Sequence, residues 1–195
     1  MDSVFILNSL VLGIGLAMDA FSVSLANGLH ERNMKQGRMA MIAGLYAFFQ
    51  FAMPLIGWIS IRGIEKIFSA FEKMVPWITL ILLLFLGIRM IREGVEEKKT
   101  GKAPEGPGGG VSFRLLLLQA FATSVDALSA GFTLAEYRAG QAVLAAGLIG
   151  GVTFLICLAG LLLGRKVGTK LSWGASVLGG VILILIGVRI FLSHL

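Results

Sequence analysis

The residues best suited to chemistry are two aspartates that lie deep in apolar segments. Asp19 lies near the middle of GIGLAMDAFSVSLANG, residues 13–28, and Asp126 lies in a similar segment of the second half. A carboxylate at the centre of a membrane helix costs about 2.5–3.5 kcal/mol on insertion scales, so such residues mark functional sites. At about 100° per residue, each aspartate shares its helix face with small and polar residues. Two deep carboxylates indicate a cation site, a proton relay or protonated structural groups.

Further oxygen and sulfur atoms occur in the same apolar segments. Gln50 and Thr153 occupy nearly corresponding positions in two other segments, where their oxygens could bind a cation or form interhelical hydrogen bonds. Met18 and Met53 offer softer sulfur, although methionine in membrane helices usually serves packing. The candidate site therefore comprises Asp19 and Asp126 as cation ligands. The supporting candidates are Ser22, Gln50, Met53, Thr123, Ser129, Thr153, Asn27 and Met18. No catalytic residue and no resident cofactor are expected.

Composition indicates that membrane helices position these residues. Of the 195 residues, 56% are hydrophobic and 14% are charged, and the mean hydropathy is +0.87. Soluble domains carry roughly 25% charged residues, so the chain is predicted to be an integral membrane protein. The net charge of +6 does not indicate nucleic-acid binding, because the basic residues lie at segment ends, as in membrane loops.

Six membrane helices of about 20 residues fit this length. They are predicted at 3–29, 37–61, 75–92, 113–135, 140–163 and 172–193. Residues 93–112, which include EEKKTGKAPEGPGGG, concentrate charge, proline and glycine and are predicted to be a flexible linker. Residues 1–92 then form a first three-helix unit and residues 113–195 a second one, within a single membrane domain.

The two halves repeat each other in sequence. Asp19-Ala20-Phe21-Ser22 in the first predicted helix corresponds to Asp126-Ala127-Leu128-Ser129 in the fourth. In the second helix, Gly44, Phe51 and Gly57 have the spacing of Gly147, Phe154 and Gly160 in the fifth. In the third helix, Gly87 and Arg89 correspond to Gly187 and Arg189 in the sixth. An odd number of helices per half forces the second half to insert upside down. Secondary transporters with such inverted repeats bind substrate near the midplane, between the halves. The predicted fold is therefore an all-α membrane protein of two inverted three-helix repeats.

Charge counting predicts the orientation in the membrane. Segments 30–38, 89–114 and 164–170 carry twelve Lys and Arg residues, whereas the opposite side carries five. Because cytoplasmic loops are enriched in Lys and Arg, the first set is predicted to be cytoplasmic. Segment 93–111 would then be cytoplasmic and both termini would lie outside.

A resemblance to the MntP family of bacterial manganese efflux pumps, within the superfamily of LysE-type exporters, covers nearly the whole chain. The segments that carry it are GLAMDAFSVSLANGL, ATSVDALSAGFTLA, FFQFAMPLIGW, GVTFLICLAGLLLGRKVG and LGGVILILIGVRIF. The resemblance implies Mn²⁺ export from the cytoplasm across the bacterial plasma (inner) membrane. It also implies that Asp19 and Asp126 are metal ligands and that Mn²⁺ is substrate rather than cofactor.

Physical chemistry agrees with a divalent cation and leaves alternatives. Mn²⁺ suits carboxylate, carbonyl and water ligands, and two carboxylates would neutralise its charge. Without metal the pair could take up protons, because burial and mutual repulsion disfavour two negative charges, so exchange of Mn²⁺ for protons is the expected coupling. Export of another divalent metal or of a small amino acid is the main alternative. An intramembrane aspartyl protease is a remote one, because Ala17-Met18 and Ser124-Val125 replace the Tyr and Gly-x-Gly that precede the aspartates in those enzymes.

Overall fold

The computed structural model describes residues 3–60, 65–100, 111–134, 137–171 and 173–193, nearly all of them helical. The helices are α1 (Ser3–His30), α2 (Gln36–Ser60), α3 (Glu65–Thr100), α4 (Phe113–Ala122), α5 (Val125–Thr133), α6 (Ala139–Leu171) and α7 (Trp173–Ser193). Among the described residues, four stretches are long and apolar enough to cross a membrane: Ser3–His30, Gln36–Ser60, Phe113–Thr133 and Ala139–Gly168. Trp173–Arg189 is a shorter apolar helix. The predicted all-α membrane class is confirmed.

The fourth predicted helix is interrupted next to Asp126. It was expected to be continuous over 113–135, but α4 ends at Ala122 and α5 begins at Val125. At the break, Thr123 Oγ1 donates to Gln119 O at 2.9 Å and Ser124 Oγ donates to Phe121 O at 3.0 Å. Hydroxyl groups that bond to preceding carbonyls compete with the backbone and bend or end helices. Continuity of this helix was therefore a wrong prediction.

Two helices run beyond their predicted ends. α3 continues to Thr100, so residues 93–100 of the predicted linker are helical, while residues 101–110 lie outside the described part of the chain. α6 continues to Leu171, through the residues 164–170 that were expected to form a loop. Hydropathy marks only the portion of a helix that fits the bilayer, and helix-forming residues can continue the helix into water.

Helices from the two halves of the chain pack against each other. The most extensive contacts join α1 to α6 and α3 to α7, followed by α2 to α6 and α2 to α5. Glycine allows these close approaches: a Cβ added at Gly28 would lie 2.5 Å from Leu161 O, and one at Gly87 would lie 2.6 Å from Gly180 O. Small residues let membrane helices come close enough to gain van der Waals contact. The halves therefore form one interlocked bundle.

One end of the bundle gathers basic residues, and we call it the basic end. It comprises residues 30–38, 89–100, 111–114 and 164–168. Its links are the ion pair of Arg32 with Glu97, that of Arg38 with Glu31 at 2.6 Å, and the hydrogen bonds from Arg38 Nη2 to Val111 O at 2.7 Å and from Arg165 Nη1 to Met34 O at 3.1 Å. The segments that were predicted to share the cytoplasmic side thus meet at one end of the molecule.

Candidate metal centre

The side chain of Gln50 on α2 links the two aspartate-bearing segments. It is 0% exposed, and its Nε2 donates to Leu16 O at 3.1 Å and to Thr123 O at 3.0 Å. Leu16 lies three residues before Asp19, and Thr123 lies three residues before Asp126. One amide group therefore joins the backbone of α1 to the break between α4 and α5, three residues before each aspartate. Because Cα–Cβ bonds tilt toward a helix N-terminus, those of both aspartates tilt toward the level of this amide.

The same amide carries an acceptor without a partner. Gln50 Oε1 is buried and makes no hydrogen bond within the described part of the chain. The amide cannot be flipped, since Oε1 would then face two other carbonyl oxygens. A buried acceptor that is left unsatisfied costs about 1–3 kcal/mol, so a ligand that satisfied it would gain that amount. A carbonyl oxygen of this kind is a ligand that Mn²⁺ and similar cations accept.

The two aspartates occupy different local environments. Asp19 is half-buried in the uninterrupted middle of α1. Asp126 is half-buried in the first turn of α5, where the backbone N–H of Ala127 donates to its Oδ1 at 2.9 Å. A helix N-terminus stabilises a nearby carboxylate by about 0.3–1 kcal/mol, a contribution that the middle of α1 does not offer. The break in the fourth predicted helix thus distinguishes Asp126 from Asp19.

The hydroxyl candidates are directed along their own helices. Ser22 Oγ donates to Met18 O at 2.9 Å, Thr123 Oγ1 donates to Gln119 O at 2.9 Å, and Thr153 Oγ1 donates to Ile149 O at 2.9 Å. Each hydroxyl uses its proton in this way and keeps oxygen lone pairs for a further partner. Ser129 is half-buried about one turn beyond Asp126. Thr153 lies on the face of α6 that meets α2, one turn from Gly150, whose added Cβ would lie 3.1 Å from Ala47 O.

The two methionine candidates lie in different surroundings. Met53 is 7% exposed and packs with Ala127 and Leu128, the two residues that follow Asp126. Met18 is 44% exposed, on the outer surface of α1. Met53 therefore shares the interior with one aspartate, whereas the side chain of Met18 points largely outward.

Asn27 lies apart from the aspartates, roughly two turns beyond Asp19 toward the basic end. Its Nδ2 donates to Tyr46 Oη and to Gln119 Oε1, both at 3.0 Å, and Tyr46 Oη donates to Gln119 Oε1 at 2.9 Å. We call Asn27, Tyr46 and Gln119 the amide cluster. Asn27 was predicted only as a supporting ligand, and its contact with Tyr46 and Gln119 was not predicted.

Neutral oxygens are the additional donors that the described residues offer near these carboxylates. Among the residues that the structure describes, no three His, Cys, Asp or Glu side chains come together. A cation held near Gln50 would therefore combine carboxylate oxygens with amide, carbonyl or hydroxyl oxygens. Such a mixed oxygen set suits Mn²⁺.

Comparison with known proteins connects this arrangement to one group of transporters. A family model described as "Putative manganese efflux pump" matches residues 33–191. Proteins named "Putative manganese efflux pump MntP" are similar over nearly their full lengths. That of Ruminiclostridium cellulolyticum is 37% identical over 95% of each chain. That of Gloeothece citriformis is 40% identical over 97% of this chain and 96% of its own, and that of Methanobrevibacter smithii is 36% identical over 97% and 98%. No solved structure matches the chain.

Proposed function

The chain belongs to the MntP family of manganese efflux pumps, and from this membership we propose that it exports Mn²⁺ from the cytoplasm through a site shared by Asp19 and Asp126. The family is one of metal transporters rather than enzymes. With its apolar helices, the chain is a multi-pass membrane protein. The observation that carries the shared site is Gln50, which bonds to the backbone ahead of both aspartates and whose Oε1 has no partner among the described residues.

We further propose that the two halves are related as inverted repeats. The repeat seen in the sequence makes Leu16 the counterpart of Thr123, just as Asp19 is the counterpart of Asp126. Gln50 Nε2 lies within 3.1 Å of the carbonyl oxygens of both Leu16 and Thr123. An axis that relates the halves would therefore pass close to this nitrogen, with one aspartate on each side of it.

Two glycine contacts support the same relation. Gly57 on α2 packs against Leu128 O and would place a Cβ 3.1 Å from Gly131 Cα of α5. Gly160 on α6 would place a Cβ 2.9 Å from Phe21 O and 3.3 Å from Ser24 Cβ of α1. The sequence repeat makes the counterparts Gly57 with Gly160, Leu128 with Phe21, and Gly131 with Ser24. Each contact thus has its counterpart in the other half, as a pseudo-twofold axis requires.

The proposed site balances charge in both states of a transport cycle. Two carboxylates neutralise Mn²⁺, and Gln50 Oε1, hydroxyl oxygens and water can complete its coordination. When the ion has left, protons can take its place, because two carboxylates that share one site in the bundle interior do not readily both remain charged. We propose that inward movement of protons is coupled to outward movement of Mn²⁺ in this way.

The decisive experiment removes one carboxylate at a time. Asp19→Asn and Asp126→Asn preserve size but remove half of the charge that neutralises the ion, so each should abolish protection of cells against Mn²⁺ and Mn²⁺ uptake by everted membrane vesicles. The double variant should be no worse than either single one, because residues that act as a unit are not additive. Both variants should insert normally, since removing a buried charge eases insertion.

The matched control is Glu96→Gln, which removes an exposed carboxylate from α3 at the basic end. It should behave as the unmodified protein does. Fe²⁺, Co²⁺, Zn²⁺ and Cd²⁺ are assayed beside Mn²⁺, so that export of another metal would be recognised. Full protection by either Asn variant at equal expression would show that the aspartates do not share a transport site.

A further inference from the structure

The amide cluster combines complete burial with bonding capacity that the protein leaves unused. Asn27, Tyr46 and Gln119 are each 0% exposed and come from α1, α2 and α4. Their three mutual hydrogen bonds leave Asn27 Oδ1 and Gln119 Nε2 without partners in the described part of the chain. Leaving one buried acceptor and one buried donor unsatisfied is costly, and a bound water molecule can satisfy both. The cluster therefore has the composition of a small hydrated site.

The cluster lies between the aspartates and the basic end. Asn27 is roughly two turns beyond Asp19, and α1 ends soon afterwards at His30. Gln119 is a similar distance before Asp126, and α4 begins at Phe113. An ion that travels from the basic end to the aspartates between α1, α2 and α4 must pass these three side chains.

The opposite side of the bundle has no such cluster at the corresponding positions. The sequence repeat makes Leu134 the counterpart of Asn27, Ile149 the counterpart of Tyr46, and Leu12 the counterpart of Gln119. Leu134 and Ile149 are buried, and a Cβ added at Gly13, next to Leu12, would lie 3.1 Å from Ile149 Cα. These three positions thus carry apolar side chains, two of them buried, where the basic side carries the amide cluster.

We infer that the amide cluster is a second, weaker cation-binding station on the path between the basic end and the aspartates, an inference that rests on the proposed export of Mn²⁺. Asn27 Oδ1 and the lone pair that Tyr46 Oη keeps replace part of the ion's water shell, and Gln119 Nε2 donates to a water molecule that stays on the ion. Because the station carries no charge, it cannot compensate for the free energy that a divalent ion loses on complete dehydration. The ion then moves to the two carboxylates, whose negative charges do compensate for that loss.

The station makes the two sides of the aspartate site unequal. From the basic side, an ion can exchange water for side-chain oxygens in two steps. From the other side, the corresponding residues Leu12, Leu134 and Ile149 offer no side-chain oxygen for a first exchange. Such an arrangement lowers the kinetic barrier for loading from the basic side without changing the equilibrium that the coupling ion sets.

The test replaces the polar residues with their apolar counterparts. Asn27→Leu and Gln119→Leu, in full-length protein, copy Leu134 and Leu12. Initial Mn²⁺ uptake by everted vesicles at subsaturating Mn²⁺ should fall by about tenfold in each, the effect of about 1.4 kcal/mol on a barrier. Equilibrium Mn²⁺ binding by the purified variants should stay within about twofold of the unmodified protein, since the carboxylates remain. Ser9→Ala, which removes a buried hydroxyl that bonds to Phe5 O of its own helix, is the matched control and should leave both measurements unchanged.

A gain-of-binding variant keeps the inference falsifiable if the leucine variants do not fold. Gln119→Glu retains Oε1, which accepts both hydrogen bonds, and changes only Nε2, which has no partner in the part of the chain that the structure describes. A carboxylate there should convert the weak station into a tight one, so the purified variant should bind a second Mn²⁺ per chain and transport more slowly.

The outcomes separate this inference from the proposed function. Unchanged uptake in both leucine variants, or a Gln119→Glu variant that binds no additional Mn²⁺, would overturn the station. Loss of equilibrium binding in the leucine variants as complete as in Asp19→Asn would also overturn it, because the cluster would then belong to the aspartate site. Absence of Mn²⁺ uptake by the unmodified protein would instead refute the proposed export.

Discussion

At the scale of single residues, Gln50 is the side chain that connects the two aspartate-bearing segments. Its amide donates to two carbonyl oxygens that lie far apart in the chain, and it offers Oε1 to the interior. The sequence showed a polar residue at the correct depth and left open whether it binds a cation or holds helices together. In the structure Gln50 Nε2 forms the interhelical hydrogen bonds, and Gln50 Oε1 remains a candidate metal ligand.

Gln50→Leu is expected to weaken Mn²⁺ binding by about tenfold or more, because it removes the acceptor and leaves the carbonyls of Leu16 and Thr123 without their donor. Thr153→Val is the matched substitution at the corresponding position of the second half. Among the described residues Thr153 Oγ1 bonds to Ile149 O of its own helix alone, so loss of the hydroxyl should change binding by less than about threefold. Isothermal titration of the purified variants with Mn²⁺ measures both effects. Equal losses in the two variants would argue against a special role for Gln50.

At the scale of helices, much of the fold followed from the sequence. Apolar runs of about 20 residues located the membrane segments, because the bilayer sets their length. The break before Asp126 could have been suspected from Thr123-Ser124, a pair of hydroxyl residues that can bond back to the helix. The amide cluster could not be predicted, since Tyr46 lies among apolar neighbours and its partner Gln119 is 73 residues away in the chain. Contacts of that kind depend on how helices pack, which local patterns do not encode.

Helix packing predicts opposite outcomes for two alanine substitutions on α2. A Cβ added at Gly57 would overlap Leu128 O, whereas one added at Gly44 would have no atom of a neighbouring helix within 4 Å. Gly57→Ala should therefore destabilise the protein by about 1–3 kcal/mol, the usual cost of overpacking. Gly44→Ala should be neutral or slightly stabilising, because alanine favours helix. Thermal unfolding in detergent compares the two variants, and a Gly57→Ala protein as stable as Gly44→Ala would contradict the close α2–α5 contact.

At the scale of the whole molecule, the basic end unites segments that are distant in the chain. Ion pairs and hydrogen bonds there tie the ends of α1 and α3 to the starts of α2 and α4 and to α6. These contacts agree with the charge count, which predicted that the segments share one side of the membrane. Which side of the membrane they face is the remaining prediction, and positive charge favours the cytoplasm.

Orientation is tested by labelling single cysteines from either side of the membrane. Cys157 is buried and is first replaced by serine, and the new cysteines are introduced into this Cys157→Ser background. Gly108→Cys in the linker should then react only with reagent that reaches the cytoplasm, and Leu195→Cys at the C-terminus should react with impermeant reagent added outside. Reaction of both positions from the same side would contradict the inverted arrangement of the halves.

The position of Gln50 has a consequence for how such a bundle can arise. If the halves are inverted repeats, as proposed, the equivalent dimer of two identical three-helix chains is antiparallel, and a residue beside its twofold axis is present twice, so that both copies compete for the same space. Two glutamines there would compete for the same pair of carbonyls, which Gln50 bonds alone in this protein. Joining the halves into one polypeptide removes that conflict, because the second copy is free to become the shorter Thr153. A single gene encoding both halves can therefore hold one amide at the centre of the bundle, which a symmetric pair of identical chains could not.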